Sequence, residues 1–333
     1  MSDLGIVVCV HDGASRLPET LGALAAMDRS RVSRIVVIDN ASSDGTSGVA
    51  EGFARANGGF ECWAEPAPGK SAALARFFRE AREAYVGVVD DDITVDAGWA
   101  SAMVERLEAS PRAGAVGGVV RNQWLAGPTR LASIYRRSLG DQDLGAEPVV
   151  VEEPGGFLMG ASMAYRREAV LASGWLEHRL LDCRRGRIVR SGEDAELCIR
   201  IRRAGWEVWY EPGARALHRI PGSRQTARAL ASLRESITAS EPWLAWIAGE
   251  AMDPMARARR ARRLYVKTLL TDWRPTRRRI RLAERRGRAR AWEDLIAHLR
   301  SHAGSLSPSL RDACPPGRGL AGAGDRARGG GRS

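Results

Sequence analysis

Short apolar runs alternate with helical segments through the first ninety residues of this 333-residue chain. Four runs are apolar or β-branched and predict strands: residues 6–10, 34–38, 60–64 and 85–89. The segments between them have helical spacing: residues 17–27, 46–57 and 71–84. Parallel strands need a crossover connection, usually a helix, so this alternation predicts an α/β fold with a parallel sheet. Ligands of such sheets bind at the carboxyl ends of the strands.

The fourth apolar run ends in three consecutive carboxylates, Asp90, Asp91 and Asp92. Adjacent carboxylates repel one another, and a hard cation such as Mg²⁺ or Mn²⁺ relieves that repulsion. Because alternate residues of a strand share a face, Asp90 and Asp92 are predicted to point toward one ion and Asp91 away from it. The cluster therefore predicts a divalent metal site. A solvated acidic turn is the alternative.

Positive charge is concentrated toward the C-terminus. Residues 1–254 carry 30 basic and 34 acidic side chains, whereas residues 255–333 carry 21 and 6. Only Lys70 and Lys267 are lysines, and so strong an arginine bias indicates a GC-rich genome rather than selection for phosphate contacts. The net charge of +11 is therefore weak support for nucleic-acid binding.

No sequence segment approaches eighteen uninterrupted apolar residues, and the first residues lack the basic-then-apolar layout of a secretory signal. A cytoplasmic location is therefore expected. The five cysteines form no C-x-x-C pair, which argues against a zinc knuckle or a disulfide framework.

Six segments match one protein family in the same order along the chain. They are Val7-Val8-Cys9-Val10-His11-Asp12, Val36-Val37-Ile38-Asp39-Asn40-Ala41-Ser42-Ser43-Asp44-Gly45-Thr46, Gly69-Lys70-Ser71-Ala72-Ala73-Leu74, the Asp90-Asp91-Asp92 strand, Gly192-Glu193-Asp194-Ala195-Glu196-Leu197, and Tyr210-Glu211-Pro212 leading to His218. With these motifs the chain resembles family 2 glycosyltransferases. The last two segments look most like bacterial exopolysaccharide-type members.

The resemblance implies a GT-A fold, a Rossmann-like α/β architecture with a mixed, mainly parallel sheet flanked by helices. It also implies a nucleotide-sugar donor, most commonly a UDP-sugar, and inversion at the anomeric carbon. The chain lacks the Q-x-x-R-W pattern of processive synthases, so transfer of a single sugar per catalytic event is expected.

The resemblance further implies roles for single residues. The metal ligands would be Asp90, Asp92 and His218, holding Mg²⁺ or Mn²⁺. The nucleotide-sugar contacts would be Val10, Asp12, Asp39, Asn40, Lys70, Arg76 and Asp91. His11 and Asp12 stand where the family usually has Tyr and Asn, and Ala75 replaces a common Asn. Alternatives remain open: a capped turn for Asp39, a solvated turn lysine for Lys70 and a structural histidine for His218.

Asp194 is the predicted general base, with Glu193 as its backup. Inversion requires a carboxylate near the acceptor hydroxyl, opposite the departing diphosphate. Two adjacent acids raise each other's proton affinity, which suits a group that accepts a proton near neutral pH. In the alternative interpretation, both acids merely occupy the first turn of a helix, where the helix dipole favours them.

The chain divides into three predicted parts. Residues 1–222 form the GT-A catalytic domain, with a nucleotide-sugar-binding half at 1–115 and an acceptor half at 116–222. Residues 223–303 form a basic helical extension, and the Gly, Pro, Ser and Arg-rich residues 304–333 predict a disordered tail. The expected partners are the donor, a saccharide or lipid-linked acceptor, and an anionic membrane at the inner face of the plasma membrane, which the basic helices would contact peripherally.

Two other enzyme classes and one non-enzymatic function compete with this interpretation. Residues 90–94 fit the D-x-D-x-T pattern of haloacid-dehalogenase-type phosphohydrolases, although those enzymes usually carry it on their first strand. A dinucleotide-dependent oxidoreductase is disfavoured because no G-x-G-x-x-G follows the first strand. Residues 256–300 could alternatively make the protein a basic nucleic-acid-binding or membrane-binding module, with nucleic acid the less favoured partner.

Overall fold

The computed structural model describes residues 4–152, 157–181, 191–272 and 275–301. Within these residues nine strands form one sheet: β1 (Leu4–Val10), β2 (Val32–Asp39), β3 (Phe60–Ala64), β4 (Tyr85–Asp90), β5 (Ile93–Val95), β6 (Ala113–Trp124), β7 (Val149–Val150), β8 (Ser162–Arg166) and β9 (Glu207–Ile220). The strand order is β3-β2-β1-β4-β8-β6-β9-β5, and β7 pairs with β9. The sheet is mixed, as expected.

Strands β1 to β4 form the parallel half of the sheet that the sequence predicts. Val10 pairs with Asp39, and Cys9 pairs with Asp90. The carboxyl ends of β1, β2 and β4 therefore lie side by side at one edge. This register places the polar residues that follow each strand in a common crevice.

Helices cover both faces of the sheet. The helices of this part are α1 (Leu17–Ala26), α2 (Thr46–Ala56), α3 (Lys70–Glu80), α4 (Trp99–Ala109), α5 (Arg130–Ile134), α6 (Arg167–Ala172), α7 (Trp175–His178) and α8 (Glu193–Arg203). Fully buried Trp99 of α4 packs on one face with α1, and Phe77 and Phe78 of α3 pack on the other with α8. Burial on both faces explains why the parallel strands are continuously apolar.

Strands β6 and β9 are the longest strands of the sheet. They pair in parallel and continue together to Trp124 and Ile220. The chain irregularity beside Gly118 brings the Ala214 carbonyl so close that a Cβ at residue 118 would overlap it. The extended β9 pairs His218 with Ile93 of β5, which carries this histidine to the acidic cluster.

Three long helices follow the sheet: α9 (Ala227–Ile247), α10 (Pro254–Thr271) and α11 (Pro275–Ser301). These helices lie within the range 223–303, for which the sequence predicts a basic helical extension. Trp243, Trp292 and Leu295 form a separate apolar cluster that also includes Leu181 of the preceding α/β part. No helix in the described ranges is long and apolar enough to cross a membrane. The tail predicted at 304–333 lies outside the described residues.

Candidate active site

Two loops at the carboxyl edge of the sheet interlock. Asp12, after β1, has a φ of 48°. It accepts a hydrogen bond from the Ser43 backbone N–H at 2.8 Å, and its own N–H donates to Ser42 Oγ at 3.0 Å. Asp44 accepts from the Ala14 N–H at 3.1 Å. The SSDGT segment thus fixes the shape of the β1–α1 loop, and the exposed Asp12 lies on its surface.

Asp39 and Asn40 are both buried, and both side chains are engaged by the protein. Asp39 accepts from the Ser42 N–H at 3.1 Å and from the Ser47 hydroxyl, as in a capped strand-to-helix turn. The Asn40 amide donates to the carbonyls of residues 65 and 67, while its oxygen accepts from the Gly69 N–H at 2.7 Å. Asn40 therefore anchors the loop that leads to Lys70.

The three consecutive aspartates point to three different cationic side chains. Strand β4 ends at Asp90, and Asp91 and Asp92 lie in a turn, so the alternation expected for a strand does not apply. Asp90 pairs with Lys70 at 2.5 Å, Asp91 with Arg16 at 2.6 Å, and Asp92 with Arg224 at 2.7 Å. In this geometry each aspartate faces its own cationic partner, and the shared metal site of Asp90 and Asp92 remains a prediction.

Asp92 and His218 are the predicted metal ligands that the fold brings together. Asp92 Oδ2 lies 3.2 Å from His218 Nε2, and their side chains are 17% and 8% exposed. Among the described residues no three His, Cys, Asp or Glu side chains are arranged to hold a metal ion. Mg²⁺, however, commonly binds one or two carboxylates and completes its shell with substrate phosphates and water. The pair therefore fits a metal ion that is shared with a diphosphate.

Arg224 completes this cluster. It lies in a short 3₁₀ turn (Gly222–Gln225) after β9, and its Nη1 is 2.7 Å from Asp92 Oδ2 and 3.1 Å from His218 Nε2. Burial raises the pKa of Asp92, but the hydrogen bond to His218 and the charge of Arg224 outweigh it and lower the pKa to about 2. Asp92 is therefore ionised at neutral pH, the form in which a carboxylate can bind a cation.

Lys70 joins the donor side of the crevice to the predicted base. As the first residue of α3, it places Nζ 2.5 Å from Asp90 Oδ1 and 3.7 Å from Glu193 Oε1. Burial lowers the pKa of Lys70, but the two carboxylates outweigh it and raise the pKa well above its ordinary range. Burial also raises the pKa of Asp90, while Lys70 opposes that shift. Lys70 is thus a permanent cation and not a solvated turn residue.

Asp194 lies at the start of α8, beside Glu193. Its Oδ2 accepts from the Gly160 N–H at 2.8 Å, and a Cβ at residue 160 would overlap the aspartate. Burial, followed by the charge of Glu193, raises the pKa of Asp194 to about 6, although the Gly160 hydrogen bond and Lys70 lower it. A carboxylate with this pKa is ionised at neutral pH and still basic enough to accept a proton.

Asp91 serves the framework of the site. Arg16, at the end of the β1–α1 loop, donates to Asp91. It also donates to the carbonyls of residues 11 and 12 at 2.9 and 2.7 Å. Burial raises the pKa of Asp91 to about 6 in spite of Arg16. These contacts tie the β1–α1 loop to the acidic turn.

The remaining two predicted contacts are Val10 and Arg76. The Val10 side chain is 2% exposed in the core, and its carbonyl accepts from the Asn40 N–H at 2.8 Å. The Arg76 guanidinium packs over Trp63 and pairs with Glu80 at 2.9 Å. Val10 can therefore shape the crevice only through its backbone, and Arg76 is held on the outer side of α3.

Three contributors were not recognised from the sequence: Arg16, Gly160 and Arg224. Two of them are arginines in a chain with only two lysines, so residue type gave no signal. Gly160 acts through its backbone N–H, which no side-chain motif records. A basic residue a few positions after the predicted His218 was the only available hint of Arg224.

A parallel half-sheet with carboxylates at its carboxyl edge places the chain among the open-sheet α/β proteins, whose ligands bind at that edge. The family model of glycosyl transferase family 2 matches residues 5–172. The chain belongs to glycosyltransferase family 2. A search of curated proteins finds no match.

Solved structures confirm the GT-A fold. The mannosyltransferase PcManGT from Pyrobaculum calidifontis, in complex with GDP-Man and Mn²⁺, is 17% identical with a TM-score of 0.53, over 93% of this chain and 77% of that one. GalNAc-T7 with UDP, GalNAc and Mn²⁺ is 16% identical with a TM-score of 0.53, over 92% and 58%. S. aureus TarS 1-349 in complex with UDP-GlcNAc is 13% identical with a TM-score of 0.50, over 94% and 81%.

Proposed function

We propose that the protein is an inverting, metal-dependent glycosyltransferase that moves one hexosyl unit from a nucleotide-sugar, expected to be a UDP-sugar. The observation that carries the proposal is the Lys70 bridge. The Lys70 ammonium group contacts both Asp90, at the carboxyl edge of the sheet, and Glu193. Glu193 adjoins the candidate base Asp194. Donor and acceptor chemistry therefore converge on one crevice.

The metal assignment rests on Asp92 and His218. We propose that these two side chains hold Mg²⁺ or Mn²⁺, and that Asp90, which pairs with Lys70, is a further ligand. A cation bound there supplies Lewis-acid stabilisation of the leaving diphosphate. Mn²⁺ in the structures of PcManGT and GalNAc-T7 supports this assignment.

Asp194 is the proposed general base. Its carboxylate accepts the proton of the acceptor hydroxyl while the hydroxyl oxygen forms a bond to the anomeric carbon. The bond between that carbon and the donor phosphate oxygen breaks, and the nucleoside diphosphate leaves from the opposite side. The Gly160 N–H fixes the orientation of Asp194, and Lys70 keeps its pKa from rising further.

The donor nucleotide is proposed to lie along the interlocked β1–α1 and β2–α2 loops. Asp12 is the exposed candidate contact, while Asp39 and Asn40 shape the floor from beneath. The proposed acceptor is a saccharide or a lipid-linked saccharide in cell-surface or exopolysaccharide biosynthesis, as in bacterial family members. We further propose a cytoplasmic location with peripheral association at the inner face of the plasma membrane.

Nucleotide binding gives the decisive test. We expect one nucleoside diphosphate from a panel to raise the melting temperature only when Mn²⁺ is present, because ligand binding stabilises the folded state. Asp194→Asn should keep that shift in melting temperature and abolish transfer. Asp92→Asn should lose the shift that the nucleotide produces in the presence of Mn²⁺. Arg112→Ala, at an exposed turn, is the control. Loss of the nucleotide shift in Asp194→Asn would remove the base assignment.

The phosphohydrolase alternative requires Asp90 as a nucleophile. Asp90 follows the fourth strand of the chain and is bound by Lys70, and the family match includes this segment. These observations favour transfer. Release of inorganic phosphate from a phosphomonoester, with a phosphorylated Asp90, would reverse the preference.

A further inference from the structure

Helix α10 packs on the molecule by a narrow stripe. Its inward residues include Ala261 and Thr268, seven positions apart, and Arg285 of α11 donates to the Leu264 carbonyl. Residues seven apart return to the same side of a helix. The opposite side of α10 therefore faces away from α11.

The outward side of α10 combines arginines with exposed apolar residues. Arg259, Arg263, Val266 and Leu270 follow one another at helical spacing of four, three and four residues and share one side. Val266 is 45% exposed and Leu270 is 80% exposed, the highest value among the large apolar side chains of the described residues. We call these four residues the α10 outer stripe.

The charge of this helix is entirely positive. Between Pro254 and Thr271 it carries six basic residues and no acidic one. Arg262 and Lys267 flank the outer stripe and, with it, line a shallow groove of about 600 Å³. Isolated exposed apolar residues need no explanation, but apolar residues surrounded by basic residues form an amphipathic surface.

We propose that the α10 outer stripe docks on an anionic lipid bilayer, with Val266 and Leu270 entering the interface and the basic residues contacting lipid headgroups. A helix with Lys and Arg around an apolar stripe lies in the plane of the membrane interface. Burial of its apolar residues and attraction of its basic residues to anionic headgroups both contribute to binding. The inference rests on the peripheral membrane association proposed above and assigns it to named residues, but it does not depend on sugar transfer, because none of these residues lies in the candidate active site.

Two other occupants fit the surface less well. Nucleic acid would use the arginines, but the 80% exposed leucine of the stripe gains nothing from phosphate groups. A second copy of the chain would bury the leucines but would bring like charges together across a symmetric contact. An anionic bilayer satisfies both the charges and the apolar residues.

Vesicle sedimentation of the full chain tests the proposal. Vesicles of phosphatidylcholine alone are compared with vesicles containing about one third phosphatidylglycerol, at low and high salt. We expect binding only to the anionic vesicles. Arg259→Ala/Arg263→Ala should weaken it about 25-fold, since each basic residue near the surface accounts for about fivefold.

Val266→Ser/Leu270→Ser should also weaken binding to anionic vesicles and should leave folding intact, because both side chains are exposed. Arg112→Ala/Leu171→Ser removes one exposed arginine and one 43% exposed leucine elsewhere and should bind as the parent protein does. Equal binding to neutral vesicles, or no effect of either α10 variant, would overturn the proposal. Tighter binding to duplex DNA, or a dimer that Leu270→Ser dissociates, would overturn it in favour of the other occupants.

Discussion

Replacing Lys70 by methionine should destabilise the protein in a pH-dependent way. Lys70 is the cation between two carboxylates, at 2.5 Å from Asp90 and 3.7 Å from Glu193. Methionine keeps the length and apolar stem of the side chain but removes the charge. The substitution therefore leaves Asp90 and Glu193 without their shared partner in a largely buried crevice.

The magnitude follows from the burial of the pair. Removing one partner of a buried ion pair costs about 3 to 5 kcal/mol, because the other charge remains buried. The side chains of Lys70 and Asp90 keep 21% and 30% of their surface exposed. Solvent screening therefore places the expected loss in the free energy of unfolding at the lower end, about 3 kcal/mol near pH 8.

The pH dependence comes from the carboxylates. The Lys70 pKa is raised well above 10.5, so its stabilising contribution is fully present below that pH. In Lys70→Met the pKa of Asp90, already raised by burial from 3.8, rises further. A carboxyl group whose pKa is higher in the folded than in the unfolded state destabilises the folded protein. This loss develops as the pH rises from the unfolded-state pKa through the folded-state pKa. The deficit should thus be small near about pH 4 and complete near about pH 8.

Urea unfolding followed by tryptophan fluorescence, in metal-free buffer at both pH values, measures this difference. A uniform loss at the two pH values, or a loss below about 1 kcal/mol near pH 8, would refute the reasoning. Arg34→Met is a matched control, since Arg34 is also 21% exposed and pairs with Glu83, whose side chain is 9% exposed. Because Lys70 lowers the pKa of Asp194, only Lys70→Met should shift the acidic limb of kcat/KM to higher pH.

Three further predictions follow from single contacts. The kcat/KM of transfer should fall about tenfold per pH unit below about pH 6, because Asp194, with its pKa raised to about 6, becomes protonated there; a flat profile would exclude it as the base. Arg224→Ala should bind Mn²⁺ about tenfold more tightly than the parent protein in the absence of nucleotide, because the charged hydrogen bond from Arg224 to Asp92 no longer competes with the ion. Electron paramagnetic resonance measures this affinity, and weaker Mn²⁺ binding would contradict the role of Arg224. Gly118→Ala should lower the free energy of unfolding by about 3 kcal/mol or more, since its Cβ would overlap the Ala214 carbonyl, and a parent-like urea midpoint would count against that packing.

The sequence pattern was sufficient for the architecture of the first half. Continuous apolar runs at β1 and β4 indicated strands buried on both faces, and α1 and α3 cover those faces. The motifs SSDGT, DDD and GED located the sheet edge where the site lies. These features are local, because residue periodicity and strand ends are written in consecutive residues.

Contacts between distant residues needed the tertiary structure. The three aspartates are adjacent in the chain, yet Lys70, Arg16 and Arg224 reach them from the loops after β3, β1 and β9. The sequence supplied the carboxylates, but the pairing of each depends on which loops the sheet order brings to its edge. The alternation argument failed there because β4 ends at Asp90 and the next two residues turn.

The outer face of α10 illustrates the same division. Its basic and apolar composition is evident in the sequence, and it predicted a helix with an amphipathic character. Which side packs on α11 and which remains exposed was decided only when Ala261 and Thr268 were buried. The composition of a helix determines which kinds of partner it can bind. The packing of one side against the rest of the protein determines which residues remain available to contact such a partner.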